Sequence, residues 1–480
     1  MDRPRAQGED QALERLARAW MEDPWGHFGH SATRAHSVDP AEAEAVQTLG
    51  VALRFAERRD RIPVLARLAD AQGIRRIDRL DDAAPLLFQH TVYKSYPFSL
   101  LARGRFAELT RWLDRLTPVD LSAVAVADCA TIDDWLGRLA ASTPLDPAAS
   151  SGSTGTLSLF PKTKEDYRIA VRGLRVQALQ TFGREPGPGE LSAKVHFLVP
   201  LFRGGHLSIG AFTRYNLEEF CGGDEAYLHT AFPGPVSADL MWLAARLRAA
   251  EARGDLAKLD VPEALRARLP ELRALQEDMP RAQRAFVRQA AERLRGERVV
   301  AMGTTAMFHE VARAALAEGL ERVFDPDSVV MGGGGAKGVE LPADAEEVIL
   351  RFTGARRLTS AYGMTELNTF SLLCEEGRYH FPPWLVVFLL DRDSGRPLPR
   401  RGEQTGRGAF FDLTNRGTWG GIVTGDRLTV SWEPCPCGRT TPHAARDIRR
   451  FSELEGGDDK ITCAASPQAQ AEALDFLSRL

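Results

Sequence analysis

Lysine is nearly missing from this sequence. Seven are present, at positions 94, 162, 164, 194, 258, 337 and 460, so the other 54 of the 61 basic residues are arginine. A compositional bias toward Arg and Ala accounts for the scarcity, and it leaves few candidates wherever chemistry needs an ammonium group. A surplus of one charge is lacking too: 61 basic residues face 65 acidic ones, for a net charge of -4. That balance argues against a nucleic-acid binder, which shows a basic excess or stripe. Long apolar runs are absent, the longest being the seven residues Trp384–Leu390, against roughly 18 for a membrane span. The first ten residues, MDRPRAQGED, lack the apolar segment of a secretory signal. Cysteine is sparse as well, six in 480 residues. With no signal segment this predicts a cytoplasmic protein, in which clustered Cys means metal or catalysis rather than disulfide. At 44% apolar and 26% charged residues, disorder, collagen-like repeats and disulfide scaffolds are excluded. The length allows several domains at roughly 100–200 residues each.

The hydropathy pattern predicts helices over most of residues 1–110, with Leu13, Leu16 and Trp20 on one face and Leu65, Leu68 and Ala71 on another. Thr131, followed by Asp133 and Asp134, reads as a helix cap. A turn-rich stretch, STPLDPAASSGSTGT (142–156), then interrupts the periodicity. Beyond it, strand-like runs alternate with helical ones. Val195, Phe197 and Val199 alternate as a half-buried strand does, and 298–302, 328–331, 384–391 and 409–413 read as further strands. Residues 238–296 read as a helical pair broken at Leu269–Pro270, with no evident chemistry. Such alternation predicts an α/β fold with parallel strands feeding Gly-rich loops.

Three short motifs carry chemistry. In SSGSTGT (Ser150–Thr156) two glycines permit close backbone approach to an anion, and the hydroxyls and amides suit phosphate oxygens. No Gly-Lys-Ser/Thr follows, so it is not a Walker loop; alone, it reads equally as a linker. SAYGMTEL (Ser360–Leu367) places a ring, a hydroxyl and a carboxylate within five residues. Glu366 there suits Mg²⁺ beside phosphate oxygens, or, on its own, a solvated acid at a helix start. In VTGD (Val423–Asp426) an Asp in a tight turn after a strand suits a ribose diol, although such turns are common.

In this order, with about 210 and then 60 residues between them, the motifs resemble the adenylate-forming superfamily of acyl-CoA synthetases, peptide-synthetase adenylation domains and luciferases. VYKSYPF (92–98), MGGGGAKG (331–338), RYHFPPWL (378–385) and CPCGRTTP (435–442) resemble the phenylacetate–CoA ligase branch, and especially acyl-protein synthetases. The resemblance covers residues 90–465. It implies the large domain of that superfamily, packed mixed sheets with flanking helices and a small β-rich subdomain. The divisions are a helical region 1–110, a core 111–445, and a hinge remnant and tail 446–480. It implies an ATP- and Mg²⁺-dependent ligase acting on a small carboxylic acid. Ser150, Ser151, Gly152, Ser153, Thr154 and Gly155 would bind the β- and γ-phosphates; Gly332, Gly333, Gly334, Gly335 and Ala336 would line the adenine pocket. Ser360, Tyr362 and Gly363 would form the adenine wall, with Tyr362 stacked on the base. Thr365 would contact the α-phosphate, Glu366 would hold Mg²⁺ and Asp426 would bind ribose.

The chain also departs from that pattern. Thr156-Leu157-Ser158 stand where a Pro or Lys usually follows the phosphate loop, leaving Lys162 or Lys164 as substitutes. The hinge reads GGDDKI (456–461) without its Arg, leaving Arg449 or Arg450. Only 19 residues follow Ile461, so the small C-terminal domain and its adenylation lysine are expected to be absent or vestigial, as in acyl-protein synthetases. There a cysteine near the C-terminus accepts the acyl group; Cys463, with Lys460 nearby, lies in the comparable place. The acceptor is otherwise a partner protein such as a reductase, coenzyme A, or an amine; a non-catalytic nucleotide-binding partner is the reading from another class. Cys374, His380, Cys435 and Cys437 make a closed structural Zn²⁺ set, or else reduced cysteines on neighbouring hairpins. His206, after a strand and a Gly pair, reads as an acyl-pocket residue, a base or a satisfied structural His. His229 and His309 carry no assignment. The acid-pocket walls are expected near 201–212, 303–307 and 332–336.

Overall fold

The computed structural model describes residues 7–151, 156–184, 186–256, 259, 261, 263–333, 341–454 and 466–479. Its N-terminal region is helical, as the periodicity predicts: α1 (Gln7–Glu22), α2 (Pro24–His27), α3 (Ala32–Ala35), α4 (Pro40–Arg58) and α5 (Pro63–Gln72). Trp20 is buried; on α5 Ala69 rather than Ala71 completes the apolar face with Leu65 and Leu68. A short strand β1 (Phe88–Gln89) and helices α6 (Phe98–Ala102), α7 (Phe106–Asp114) and α8 (Ile132–Ser142) follow. Thr131 caps α8 in a reciprocal box with Asp134, each side chain accepting the other's backbone N–H at 3.0 Å.

The stretch 142–156 is not all turn. Ala148–Ser151 form β2, paired antiparallel with β3 (Leu157–Phe160). Helix α9 (Lys164–Leu179) comes next. A six-stranded sheet is then assembled from β4 (His196–Gly205), α10 (Ser208–Glu219), β5 (Leu228–Val236), α11 (Ala238–Ala252), α12 (Glu263–Arg266), α13 (Leu269–Arg293), β6 (Val299–Thr304), α14 (Thr305–Ala317), β7 (Val329–Gly333), α15 (Ala345–Thr353), β8 (Leu358–Tyr362) and β9 (Ser371–Leu372). Strand order is β5-β4-β6-β7-β8-β9; the first five are parallel and β9 is antiparallel to β8. Both faces of β4 are covered, correcting the half-buried expectation: Phe197 and Val199 join one apolar core, whereas Leu198 joins a second one with α13, α14 and α15. Pro270 lies in the first turn of α13 and starts that helix instead of breaking it.

The second sheet holds β10 (Tyr379–His380), β11 (Leu385–Leu390), β12 (Glu403–Asp412), β13 (Gly421–Ser431), β14 (His443–Ala444) and β15 (Arg449–Arg450), in the order β10-β14-β13-β12-β11 with β1 and β15 also paired to β13. Trp384, at the start of β11, is buried against Trp25 at 4.8 Å and Phe28 at 6.0 Å, which joins this sheet to the N-terminal helices. Burial of one such aromatic contributes about 1.5–3 kcal/mol. The last helix, α16 (Pro467–Ser478), packs on α5, with the Phe476 ring 4.0 Å and 4.4 Å from the guanidinium carbons of Arg67 and Arg115.

Candidate functional site

The C-terminal ends of β7 and β8 lie side by side, Gly332 opposite Ser360. Neither Gly332, in β7, nor Gly363, just after β8, is free to carry a side chain: a Cβ on Gly332 would stand 2.4 Å from Thr305 Oγ1, and one on Gly363 2.5 Å from the Phe370 ring. Tyr362 ends β8 with its ring among Tyr379, Phe381 and Phe410, at 6.0, 6.3 and 5.9 Å. Its hydroxyl donates to Asp426 Oδ2 at 2.9 Å. The Ser360 hydroxyl meets that of Tyr379 at 3.0 Å.

Asp426 is not in a turn after a strand. It lies inside β13, at a bulge where Thr424, Gly425 and Asp426 on one strand oppose Gly408 alone on β12. Thr424 Oγ1 donates to Gly408 O at 2.7 Å and accepts from Asp426 N at 3.1 Å, so the bulge itself aims the carboxylate. Arg450, paired to Asp426 across β15, brings Nε to 3.9 Å from Oδ1, while Arg449 binds Asp447. Of the two arginines considered for the hinge, Arg450 is the one at this site. Burial pushes the Asp426 carboxyl up, opposed by the Tyr362 hydrogen bond and by Arg450.

After Tyr362 the chain forms a loop, with no helix, so Glu366 is not a helix-start acid. Thr365 Oγ1 meets Ser208 Oγ, at the start of α10, at 3.0 Å. Lys162 holds the loop from beneath: its buried Nζ donates to Thr365 O (3.1 Å), Leu367 O (2.9 Å) and Asn368 Oδ1 (2.7 Å). Asn368 in turn donates Nδ2 to Asp166 (2.6 Å) and its backbone N–H to Asp412 (2.8 Å). Lys162 is therefore spent on the loop carbonyls and Asn368, while Lys164 donates to Thr143 O at 3.2 Å. Asp166 carries a local signal, the Thr-Lys-Glu-Asp cap of α9, but its carboxylate also accepts from Arg416 N (2.7 Å) and Gly417 N (3.0 Å), which no spacing foretells.

Glu366 is half-buried and forms no ion pair among the described residues. Burial raises its carboxyl, with Asp426 adding to the rise and Lys162 and Arg450 opposing it. An ionisable oxygen donor left without an ion pair beside Tyr362 and Asp426 fits a hard cation such as Mg²⁺. The loop below it is tied to the N-terminal region: Asn415 donates to Glu366 O at 3.2 Å, Arg58 bonds Asn415 O at 2.8 Å and also Thr418 O, and Arg54 reaches Leu413 O at 2.9 Å.

The four Cys/His residues come together as a set, the ligand atoms of Cys374, His380, Cys435 and Cys437 lying within 4.8 Å of one another. Two matching turns build the set. Cys374 N–H binds Arg378 O and Gly377 N–H binds Cys374 O, each at 2.9 Å; Cys435 repeats both bonds with Arg439 and Gly438 at 2.9 Å. The repeated Cys-x-x-Gly-Arg at 374–378 and 435–439 is the sequence signal for this pairing. Without a cation, burial pushes the Cys437 thiol up to about 12 and His380 down to about 2. Three thiols and an imidazole gathered this closely fit tetrahedral Zn²⁺, which requires thiolates and a neutral ring. Thr441 Oγ1 stands 3.5 Å from His380 Nδ1 and 2.8 Å from His36 Nδ1, extending the set to the N-terminal region.

His206 follows β4 and lines a cavity of about 1020 Å³ with Arg203, Arg214, Arg268, Glu218 and Glu271. Its Nδ1 stands 3.7 Å from Asp146 Oδ1, and neither atom has a hydrogen-bond partner among the described residues. The expected pocket stretch 201–212 touches this cavity at 203–206; the stretch 303–307 does not line it. Arg268 and Glu271, just before and within α13, give the 238–296 segment a place at this cavity. The side chain of Ser151, and Gly152, Ser153, Thr154, Gly155, Gly334, Gly335, Ala336, Lys460, Cys463 and the GGDDKI segment, lie outside the described residues.

No family model matches the chain, and no curated protein matches it. Solved structures do. The model superposes on 2-hydroxyisobutyryl-CoA ligase in an open conformation, in complex with 2-HIB-AMP and CoA, with a TM-score of 0.50 and 14% identity over 88% of this chain and 78% of that one. The same ligase in the thioesterification state also gives 0.50 and 14%, over 88% of this chain and 70% of that one. The chain has the fold of the adenylate-forming enzymes.

Proposed function

We propose that this protein is an ATP-dependent ligase that activates a small carboxylic acid as its acyl-adenylate and passes the acyl group to a thiol. The observation that carries the reading is the convergence of Thr365, Glu366 and the Tyr362–Asp426 pair, from motifs about 60 residues apart, at the end of β8 and the bulge inside β13. In the reaction a substrate carboxylate oxygen bonds to the α-phosphorus of ATP, the bond from that phosphorus to the bridging oxygen breaks, and pyrophosphate leaves with the electron pair. Such a step needs positioning and charge neutralisation rather than covalent help. Asp426 has one carboxylate oxygen committed to Tyr362 and presents the other for a ribose hydroxyl, while Tyr362, pinned at its hydroxyl, offers its ring to the base. Thr365, set by Ser208 and by Lys162 beneath it, presents its hydroxyl to the α-phosphate. Glu366 would hold Mg²⁺, which supplies charge neutralisation to the phosphates when bound.

The thiol belongs to coenzyme A or to a protein. CoA is bound by the superposed ligase, and Cys463 is the acceptor that the sequence resemblance suggests. We propose further that Cys374, His380, Cys435 and Cys437 bind a structural Zn²⁺ that staples the segment after Tyr362 to the segment after Asp426.

The test is carboxylate-dependent ATP–pyrophosphate exchange across fatty, aromatic and amino acids. Exchange with one class, abolished in Glu366→Ala, is expected. No exchange with any acid, in folded protein that also fails to bind ATP, overturns the reading. Cys463→Ser is expected to retain exchange and lose any protein-bound acyl group; acylation that persists places the acceptor elsewhere.

A further inference from the structure

A second cavity, of about 530 Å³, opens between the segment 91–95, with Thr156 just before β3, and the last helix. Thr91, Lys94, Ser95 and Thr156 line one side; Leu474, Asp475 and Ser478 of α16 line the other. Thr156 is the residue that ends the hydroxyl-rich run of residues 150–156. Lys94 is held there by its neighbours. Tyr93 is buried with its ring 4.9 Å from that of Phe160, and the Tyr96 hydroxyl donates to Leu157 O at 2.8 Å, so residues on both sides of Lys94 are fastened to β3. Ser95 closes the turn, its hydroxyl donating to Val92 O at 2.8 Å and accepting from Trp112 Nε1 at 3.0 Å. Upstream, β1 pairs with β13 in parallel at Ile422 and Val423, just before the bulge that carries Asp426. The segment 88–96 thus runs from the strand of Asp426 to the hairpin of the phosphate motif.

The other described lysines are occupied. Lys162 serves the motif loop, Lys164 binds Thr143 O, and Lys194 pairs with Asp224 at 2.9 Å. Lys94 has no hydrogen bond or ion pair to a described residue and faces a cavity large enough for a polyphosphate. Asp475, the acid across the cavity, is paired with Arg479 at 2.7 Å. An ammonium among hydroxyls at the end of a phosphate-type run is the chemistry that receives an anion of high charge.

Resting on the adenylation reading above, we propose that Lys94 is the cation that binds the β- and γ-phosphates of ATP and the pyrophosphate they become, in a pocket whose outer wall is α16. Its ammonium neutralises charge that accumulates on the leaving group as the α-phosphorus–oxygen bond breaks. The lysine that the sequence lacks after the phosphate motif is thereby supplied from an earlier segment.

The experiment compares wild type, Lys94→Met and Lys94→Arg in pyrophosphate exchange and in direct titration with Mg·ATP and Mg·pyrophosphate, with thermal melting of each. Lys94→Met is expected to raise the KM for pyrophosphate and weaken Mg·pyrophosphate binding by about tenfold or more, the effect of losing one charge-assisted hydrogen bond. The KM for the carboxylic acid is expected to stay the same, and Lys94→Arg to restore most of the loss. If wild type exchanges and both variants keep their pyrophosphate KM within about twofold of it, Lys94 does not touch the phosphates and the proposal falls alone. If wild type binds neither Mg·ATP nor Mg·pyrophosphate, the adenylation reading falls and takes this proposal with it. Should Lys94→Met melt early, Lys94→Gln is measured in its place under the same criteria.

Discussion

Lys162 shows how one side chain can serve a site without touching substrate. Its three hydrogen bonds satisfy two loop carbonyls and Asn368, and its charge faces Asp166, Asp412 and Glu366. Replacing one partner of such a buried set leaves the others uncompensated, so Lys162→Met is expected to cost about 3–5 kcal/mol; a shift in the urea midpoint with an unchanged slope checks it. Glu366 behaves in the opposite sense. Its burial disfavours the charged form and no ion pair among the described residues offsets it. Glu366→Gln is therefore expected to melt higher than wild type at neutral pH while losing pyrophosphate exchange, a site held at some expense of stability. Calorimetry and the exchange assay on one preparation decide this, and a lower melting temperature would refute the assignment of strain to the carboxylate.

Among the elements, the paired turns at 374–378 and 435–439 bring the connection from β9 to β10 against the connection from β13 to β14. Four ligands drawn from both turns and from β10 make a cross-link whose strength depends on metal, because burial favours the protonated form of the Cys374 and Cys437 thiols without it. Purified protein is expected to contain about one zinc per chain. Chelation or Cys374→Ser is expected to lower the melting temperature while leaving the Tyr362–Asp426 hydrogen bond in place. Metal analysis showing none in freshly purified, reduced protein would refute it. Helix α4 acts on the same region from the other side, its Arg54 and Arg58 holding the carbonyls of residues 413–418. The helical N-terminal region therefore shares its packing and its hydrogen bonds with the candidate site, and the ring contacts of Trp25 and Phe28 with Trp384 reinforce that union.

At the scale of the whole molecule, stability is expected to depend on pH through a histidine pair on the six-stranded sheet, a different sheet from that of Asp426. His196 on β4 and His229 on β5 approach to 3.1 Å; burial, His196, Arg293 and Arg203 lower His229 to about 4. A histidine with a depressed folded value binds fewer protons folded than unfolded between that value and its ordinary one near 6.5. Stability therefore rises with pH across this window and is lost on acidification; His229→Gln is expected to flatten the rise, as read from urea midpoints at several pH values. Much else was legible in advance. The Thr131 cap, the parallel strands and the Cys/His set all stand in the sequence, because local periodicity reports which face is buried and spacing reports which donors share a turn. Tertiary structure alone decided that Asp426 sits on a bulge, that Arg450 rather than Arg449 faces it, that Lys162 serves the loop carbonyls, and that Lys94 borders the cavity at Thr156. Those facts depend on strand register and on contacts between residues up to about 380 positions apart, which hydropathy and composition do not encode.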